Sequence, residues 1–157
     1  MKFDNLVQSL LENTDSSNQV GGNHWGPIQG SDGKTYNLYV KDVCNAADKT
    51  VKAINEPVEK FVPPTNLRQP ENVEKYKQSI LKKEWKWTPV YCQLYQNKYY
   101  AYDGNHRIAA ALEANKIKPG IVKTIPVRDV ANIIDQTIVN FKNNKKTIIG
   151  GVEVKIK

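Results

Sequence analysis

Apolar residues recur at helical spacing in several stretches of the chain. Phe3, Leu6, Val7, Leu10 and Leu11 predict a short amphipathic helix over residues 3–12. Ala47, Val51 and Ile54 predict another from about Ala46 to Asn55, ended by Pro57. Val73, Tyr76, Ile80 and Leu81 mark a third, running to about Lys83. Pro70 followed by Glu71 is a good start for it, because the first turn does not need the N–H that proline lacks and the acid faces the positive end of the helix dipole. Val130, Ile133, Ile134, Ile138 and Phe141 mark a further helix, ended by Asn143-Asn144. Tyr36 to Val40, Val58 to Val62, Thr88 to Tyr95, Lys98 to Tyr102 and Ile121 to Val127 read as strands, with Gln96-Asn97 closing a hairpin. Thr147 to Lys157 reads as a terminal hairpin turning at Gly150-Gly151.

Asn13 to Lys34 breaks the pattern. Ser, Asn, Gly and Asp dominate there, and Gly21-Gly22, Gly26-Pro27 and Asp32-Gly33 are turn signals. Residues 1–35 therefore read as an N-terminal helix plus a linker, and residues 36–157 as one domain. The helix could dock on this protein or on a protein partner. The fold class is α+β, a small mixed sheet with packed helices.

Composition adds bounds. With 157 residues, 39% hydrophobic and 25% charged, the chain can bury a real core and is not of the disordered type. No apolar run reaches the roughly 18–20 residues that span a bilayer, so no membrane role is expected. Met1 to Glu12 lack the basic flank and apolar stretch of a signal peptide, which predicts a cytoplasmic protein. Cys44 and Cys92, with only His24 and His106 besides, give no zinc-ligand spacing. Cys92 lies in an apolar alternating run and is expected to pack as a small hydrophobe. The net charge of +7 favours an anionic partner, nucleic acid being the commonest, or else simply marks a Lys-rich solvated surface. Lys142 to Lys146 reads as a solvated helix end. Trp85-Lys86-Trp87 and His24-Trp25 could stack on bases, but tryptophans so placed more often cover the edge of a core.

The chemistry concentrates at Asp103-Gly104-Asn105-His106-Arg107-Ile108-Ala109-Ala110. A strand ends at Tyr102 and a helix, expected from Asn105 to about Ala114, follows at once. Such a turn needs a residue that tolerates positive φ, and Gly104 supplies it. The helix's first N–H groups have no internal partners and form an anion site. Arg107, in the first turn, can hold a phosphate by two parallel bonds. A cation at a helix N-terminus is mildly unfavourable unless an anion is present. The plainer alternative is that Asp103 or Asn105 caps the helix and Arg107 pairs with a carboxylate.

The stretch from Phe61 to about Val130 resembles the ParB N-terminal and sulfiredoxin superfamily. The resemblance rests on Val62-Pro63-Pro64, Leu67-Arg68-Gln69-Pro70, the helix of Tyr76 to Ile80, Pro89-Val90-Tyr91 and Gly104-Asn105-His106-Arg107-Ile108-Ala109-Ala110, in that order. It implies a nucleotide or nucleic-acid phosphate at Gly104, Asn105, His106 and Arg107, with Arg68 facing the same pocket. The implied cofactors are ATP, ADP or CTP with Mg²⁺, and the implied activities a nuclease or a nucleotide-dependent phosphoryl transfer. Asp103 would then serve as base or metal ligand and His106 as acid/base or second phosphate contact. Sulfiredoxins carry Gly-Cys-His-Arg at this turn; Asn105 stands in the cysteine's place, which excludes their thiol chemistry. Chromosome-partitioning members carry Glu-Arg-Arg after the glycine, where this chain has Asn105-His106-Arg107, and no helix-turn-helix follows. Free-serine kinases of the superfamily have an Asp-Gly-x-His-Arg type of turn and an additional acidic base, for which Glu71 and Glu74 are the nearest candidates. The competing class is a non-catalytic DNA- or protein-binding protein of a phage or mobile element.

Overall fold

The computed structural model describes residues 25–157 apart from Ser31, Asn66 and Arg68. The helix expected over residues 3–12, His24 and Arg68 lie outside the described residues.

Part of the segment read as a loop is a strand. β1 (Trp25–Gln29) pairs antiparallel with β2 (Thr35–Tyr39), with Ile28 opposite Tyr36 and Trp25 opposite Tyr39. Its inward positions are Gly26 and Ile28, so only one apolar side chain marks the alternation. The intervening turn is held by Asp32, which accepts hydrogen bonds from the Lys34 N–H (2.9 Å) and the Tyr36 hydroxyl (2.5 Å).

α1 (Val40–Thr50) begins directly after β2, about one and a half turns before its expected start at Ala46. The stripe that forms it is Val40, Val43, Cys44 and Ala47, all buried, rather than Ala47, Val51 and Ile54. Val51 is already extended, and Ile54 opens β3 (Ile54–Pro57), where β-branched residues fit better than in a helix. The strand expected over Val58 to Val62 is a 3₁₀ turn at Val58–Lys60, followed by a single parallel bridge from Phe61 to Tyr99. Pro63 and Pro64 offer no donors to extend that pairing.

The remaining elements fall close to where periodicity puts them, except that the strand expected from Ile121 to Val127 runs from Thr124 to Asp129. α2 (Pro70–Leu81) has proline in its first turn and buries Val73 and Ile80. It ends on a left-handed Lys83 (φ 60°), with the Glu84 N–H donating to the Ser79 carbonyl at 3.0 Å. β4 (Val90–Tyr95) and β5 (Lys98–Asp103) form a tight hairpin whose turn residues Gln96 and Asn97 both have positive φ (48° and 65°), the twist that matches the strands. α3 (Asn105–Ile117), β6 (Thr124–Asp129) and α4 (Ala131–Lys142) follow. The terminal hairpin does turn at Gly150-Gly151, between β7 (Ile148–Ile149) and β8 (Val152–Glu153). The segment beyond it pairs with β2, where Ile156 bridges Leu38.

The architecture is α+β. A four-stranded mixed sheet in the order β3-β6-β4-β5 has one parallel pair, β4 with β6, at its centre. One face, carrying Val90, Cys92, Tyr99, Ala101, Ile125 and Val127, packs with the buried residues of α2 and α3. The other presents Tyr91 and Tyr102 to α1, α4 and the β1–β2 hairpin. Tyr91 ties the two layers by donating its hydroxyl to Asp48 on α1 at 2.5 Å, and Arg128 bonds the Val51 carbonyl. Among the described residues, no helix is long and apolar enough to cross a membrane.

Candidate functional site at the strand-to-helix turn

β5 ends at Asp103, and the chain enters α3 through Gly104 at φ 116°, ψ 17°. A Cβ added there would lie 2.6 Å from Val90 Cγ1 and 2.8 Å from Val90 Cβ, far inside carbon–carbon contact distance. Glycine is therefore demanded twice, by the positive φ and by the close approach of β4. The space that the missing side chain leaves is held by Val90, so it is the protein's own β4 that approaches the backbone there.

Two polar side chains are buried at the start of α3. Asn105 is 2% exposed and His106 6% exposed, in a helix whose other buried residues are Ile108 and alanines. The Asn105 Oδ1 has no hydrogen-bond partner, which is costly for a buried carbonyl. Ala109, Ala110, Ala111 and Ala114 are buried too and let the helix lie close to the sheet, as their small size predicts.

Arg107 folds back over the turn. Its Nη1 donates to the Thr88 carbonyl (2.9 Å), the Thr88 hydroxyl (2.8 Å) and the Pro89 carbonyl (3.3 Å). Its Nη2 stands 3.8 Å from Asp103 Oδ2, and 3.1 Å from where a Gly104 Cβ would be. The guanidinium thus clamps the approach to β4 with one nitrogen and sits above Gly104 with the other. The plainer expectation holds in one half only: Arg107 pairs with a carboxylate, Asp103, but neither Asp103 nor Asn105 caps the helix, whose N-cap is Gly104 with no side-chain hydrogen bond.

The Cys44 thiol on α1 is pushed above its ordinary range by burial and then by the negative charges of Asp103 and Asp48. Burial also raises the Cys92 thiol, and it raises the Tyr102 hydroxyl well above its ordinary value. Both cysteines are free and buried, and Cys92 packs as the small hydrophobe expected. Thr88, Val90 and Cys44 reach the turn from other parts of the chain. No spacing in the sequence announces them, because the contacts depend on how β4 and α1 pack.

The other candidates stand apart. Glu74 is engaged on its own helix by Lys77 (2.5 Å) and Gln78 (3.0 Å), and Glu71 is exposed in the first turn of α2. Trp85 packs against Tyr76 and Trp87 at ring-centre distances of 4.9 and 5.6 Å, on the α2–α3 side of the core, so both tryptophans cover the edge of that core. Among the described residues, no three His, Cys, Asp or Glu side chains cluster closely enough to hold a metal ion. No protein-family model, curated protein or solved structure matches the chain.

Proposed function

We propose that this is a ParB/sulfiredoxin-like domain that binds the phosphate of a nucleotide or nucleic acid at Gly104–Arg107. The observation that carries the reading is the guanidinium of Arg107, anchored through Nη1 on Thr88 and Pro89 and presenting Nη2 above the start of α3. A fixed arginine at a helix N-terminus needs little reordering to accept a phosphate. The first turn of α3 itself contains no acidic residue, and the Asp103 carboxylate, 3.8 Å from Nη2, is the group a phosphate would displace from the guanidinium or share through Mg²⁺. In this reading the N–H groups of the first turn and Nη2 take the phosphate oxygens, and Asn105 supplies a buried carbonyl for a donor on the ligand. Mg²⁺, where present, would arrive on the phosphates and be held by Asp103, adding charge neutralisation. His106, buried in the same turn, serves in this reading as acid/base or second phosphate contact.

Thermal unfolding with and without ATP, ADP, CTP and Mg²⁺ tests this. A nucleotide at about a hundred times its Kd stabilises the fold by about 2.7 kcal/mol, a readily measured rise in Tm. The rise should vanish in Arg107→Ala. No shift with any nucleotide would favour the competing reading, a non-catalytic DNA- or protein-binding protein. Incubation with single- and double-stranded DNA plus Mg²⁺ or Mn²⁺ tests the nuclease branch, with Asp103→Ala expected to abolish any cleavage.

A further inference from the structure

Far from this turn, the end of α4 and the terminal hairpin enclose a groove of about 340 Å³, a size suited to a small ligand or one nucleotide unit. Lys145, Lys146 and Lys155 line it, with Phe141, Val154 and Ile156 as its apolar part and Glu153 as its one acidic residue. α4 stops there in a left-handed Asn144 (φ 56°), with the Lys145 N–H bonded to the Asn140 carbonyl at 2.8 Å. This closure explains why the helix ends but not why consecutive lysines border a groove. Two carboxylates that contact residues of this region are engaged: Asp32 pairs with Lys142 at 3.2 Å, and Asp42 accepts the backbone Lys155 N–H at 3.2 Å.

The groove continues onto a sheet face. The Tyr39 N–H donates to the Lys155 carbonyl (3.1 Å) and the Lys157 N–H to the Asn37 carbonyl (2.8 Å), so residues 155–157 form a third extended segment beside β2. Alternation turns Leu38 and Ile28 inward, and leaves Trp25, Tyr39, Lys155 and Lys157 on the other face. Trp25 is 38% exposed, packs on Tyr39 at 5.2 Å and has the Lys157 ammonium 5.9 Å above its ring. Phe141, 41% exposed, lies in the groove itself. Val154 and Ile156, which line the groove, face inward on the side of Leu38 and Tyr36, where Phe141 packs, and Lys155 faces outward with Trp25, so the groove and the aromatic face meet across the edge made by residues 155–157.

We infer that single-stranded nucleic acid binds across this edge, from Trp25 over Lys157 and Lys155 to Lys145 and Lys146 in the groove. Lysines in a row can track successive phosphates, and exposed aromatic rings offer faces on which unpaired bases stack. A duplex keeps its bases stacked inside and cannot use those rings. An acidic peptide would satisfy the lysines but has no flat bases for Trp25. The inference does not depend on the phosphate site at Gly104–Arg107.

Fluorescence anisotropy with a labelled oligo(dT) of about 15 nucleotides, a length that such platforms cover, is the test. The combined variant Lys145→Glu, Lys146→Glu, Lys155→Glu should weaken binding at least tenfold. Each phosphate contact on a single strand adds about 0.7 to the log–log salt slope, so losing three should flatten it by about 2. Trp25→Ala should weaken binding about fivefold or more and abolish most of the tryptophan quenching that the oligonucleotide causes. Reversing the charge of another lysine pair, Lys82→Glu with Lys83→Glu after α2, should leave this binding unchanged, which separates a local surface from net charge. Unaltered unfolding curves for the lysine and Trp25 variants establish that each is folded. The inference is overturned by no binding, by affinity that survives charge reversal in folded protein, or by polyglutamate binding as tightly with no role for Trp25.

Discussion

Substituting Gly104 by alanine probes the turn on which the site is built. Its φ of 116° lies well beyond the left-handed basin near +57°, so a side chain there costs at least the about 1–2 kcal/mol of that basin. The new Cβ would sit 2.6 Å from a Val90 methyl that is fully buried on β4. Overpacking of this kind costs about 1–3 kcal/mol. The sum, about 2–5 kcal/mol, is a large part of the about 5–15 kcal/mol that holds a domain together. At about 2–4 °C per kcal/mol for a chain of this size, Tm should fall by about 4–20 °C. Urea unfolding followed by circular dichroism gives the free energies. Val90→Ala alone is destabilising through the cavity it leaves, but combined with Gly104→Ala it removes the clash. The double variant should therefore be more stable than the sum predicts, by about 1–3 kcal/mol. Strict additivity, or a Gly104→Ala protein whose Tm drops by less than about 2 °C, would refute the steric reasoning.

Arg107→Lys should cost about 1.5–3 kcal/mol, because a single ammonium cannot both bond Thr88 and Pro89, as Nη1 does, and stand beside Asp103, as Nη2 does. Thr88→Val should then cost much less in the Arg107→Lys background than in the native one; equal costs in both, from urea melts, would show that the two residues do not interact. Partial desolvation on α4, and secondarily the charge of Asp129, raises the carboxyl of Asp135, whose surface stays exposed in part. The folded state then holds that proton to higher pH than the unfolded chain does, so stability falls as pH rises through the folded value. Asp135→Asn should melt higher than native protein at neutral pH, with the difference closing below the carboxylate range; an unchanged difference down to pH of about 3, below the ordinary Asp value, would remove titration as the cause. Burial of both thiols predicts no fast alkylation of Cys44 or Cys92 in native protein and reaction of both after unfolding, as counted by mass spectrometry; rapid native labelling would contradict their packing.

Where burial and periodicity coincide, the chain can be read directly. Val73, Tyr76 and Ile80 mark α2, Ile133, Ile134 and Ile138 mark α4, and the positive φ of Gly104 follows from a strand that abuts a helix. β1 is hidden because one of its two inward positions is a glycine. α1 is displaced because Val40 closes the pattern of β2 and opens a helix that has no capping side chain to announce it. Within the site, the residue types at 103–107 are legible, but their partners are not. Thr88 and Val90 meet the turn only through the β4–β5 pairing, and Cys44 only through the packing of α1 on the opposite face. The lysines after α4 read as a solvated helix end, since the segment that makes them line a groove lies several residues farther along.

The central claim is that phosphate binds at the start of α3. Titration of ¹⁵N-labelled protein with ATP, ADP or CTP, each with and without Mg²⁺, reads that location directly. Saturable amide shifts concentrated at Gly104, Asn105, His106 and Arg107, with smaller ones at Thr88, are the predicted result. Spectra in which those amides stay fixed while nucleotide is raised to millimolar levels would contradict it.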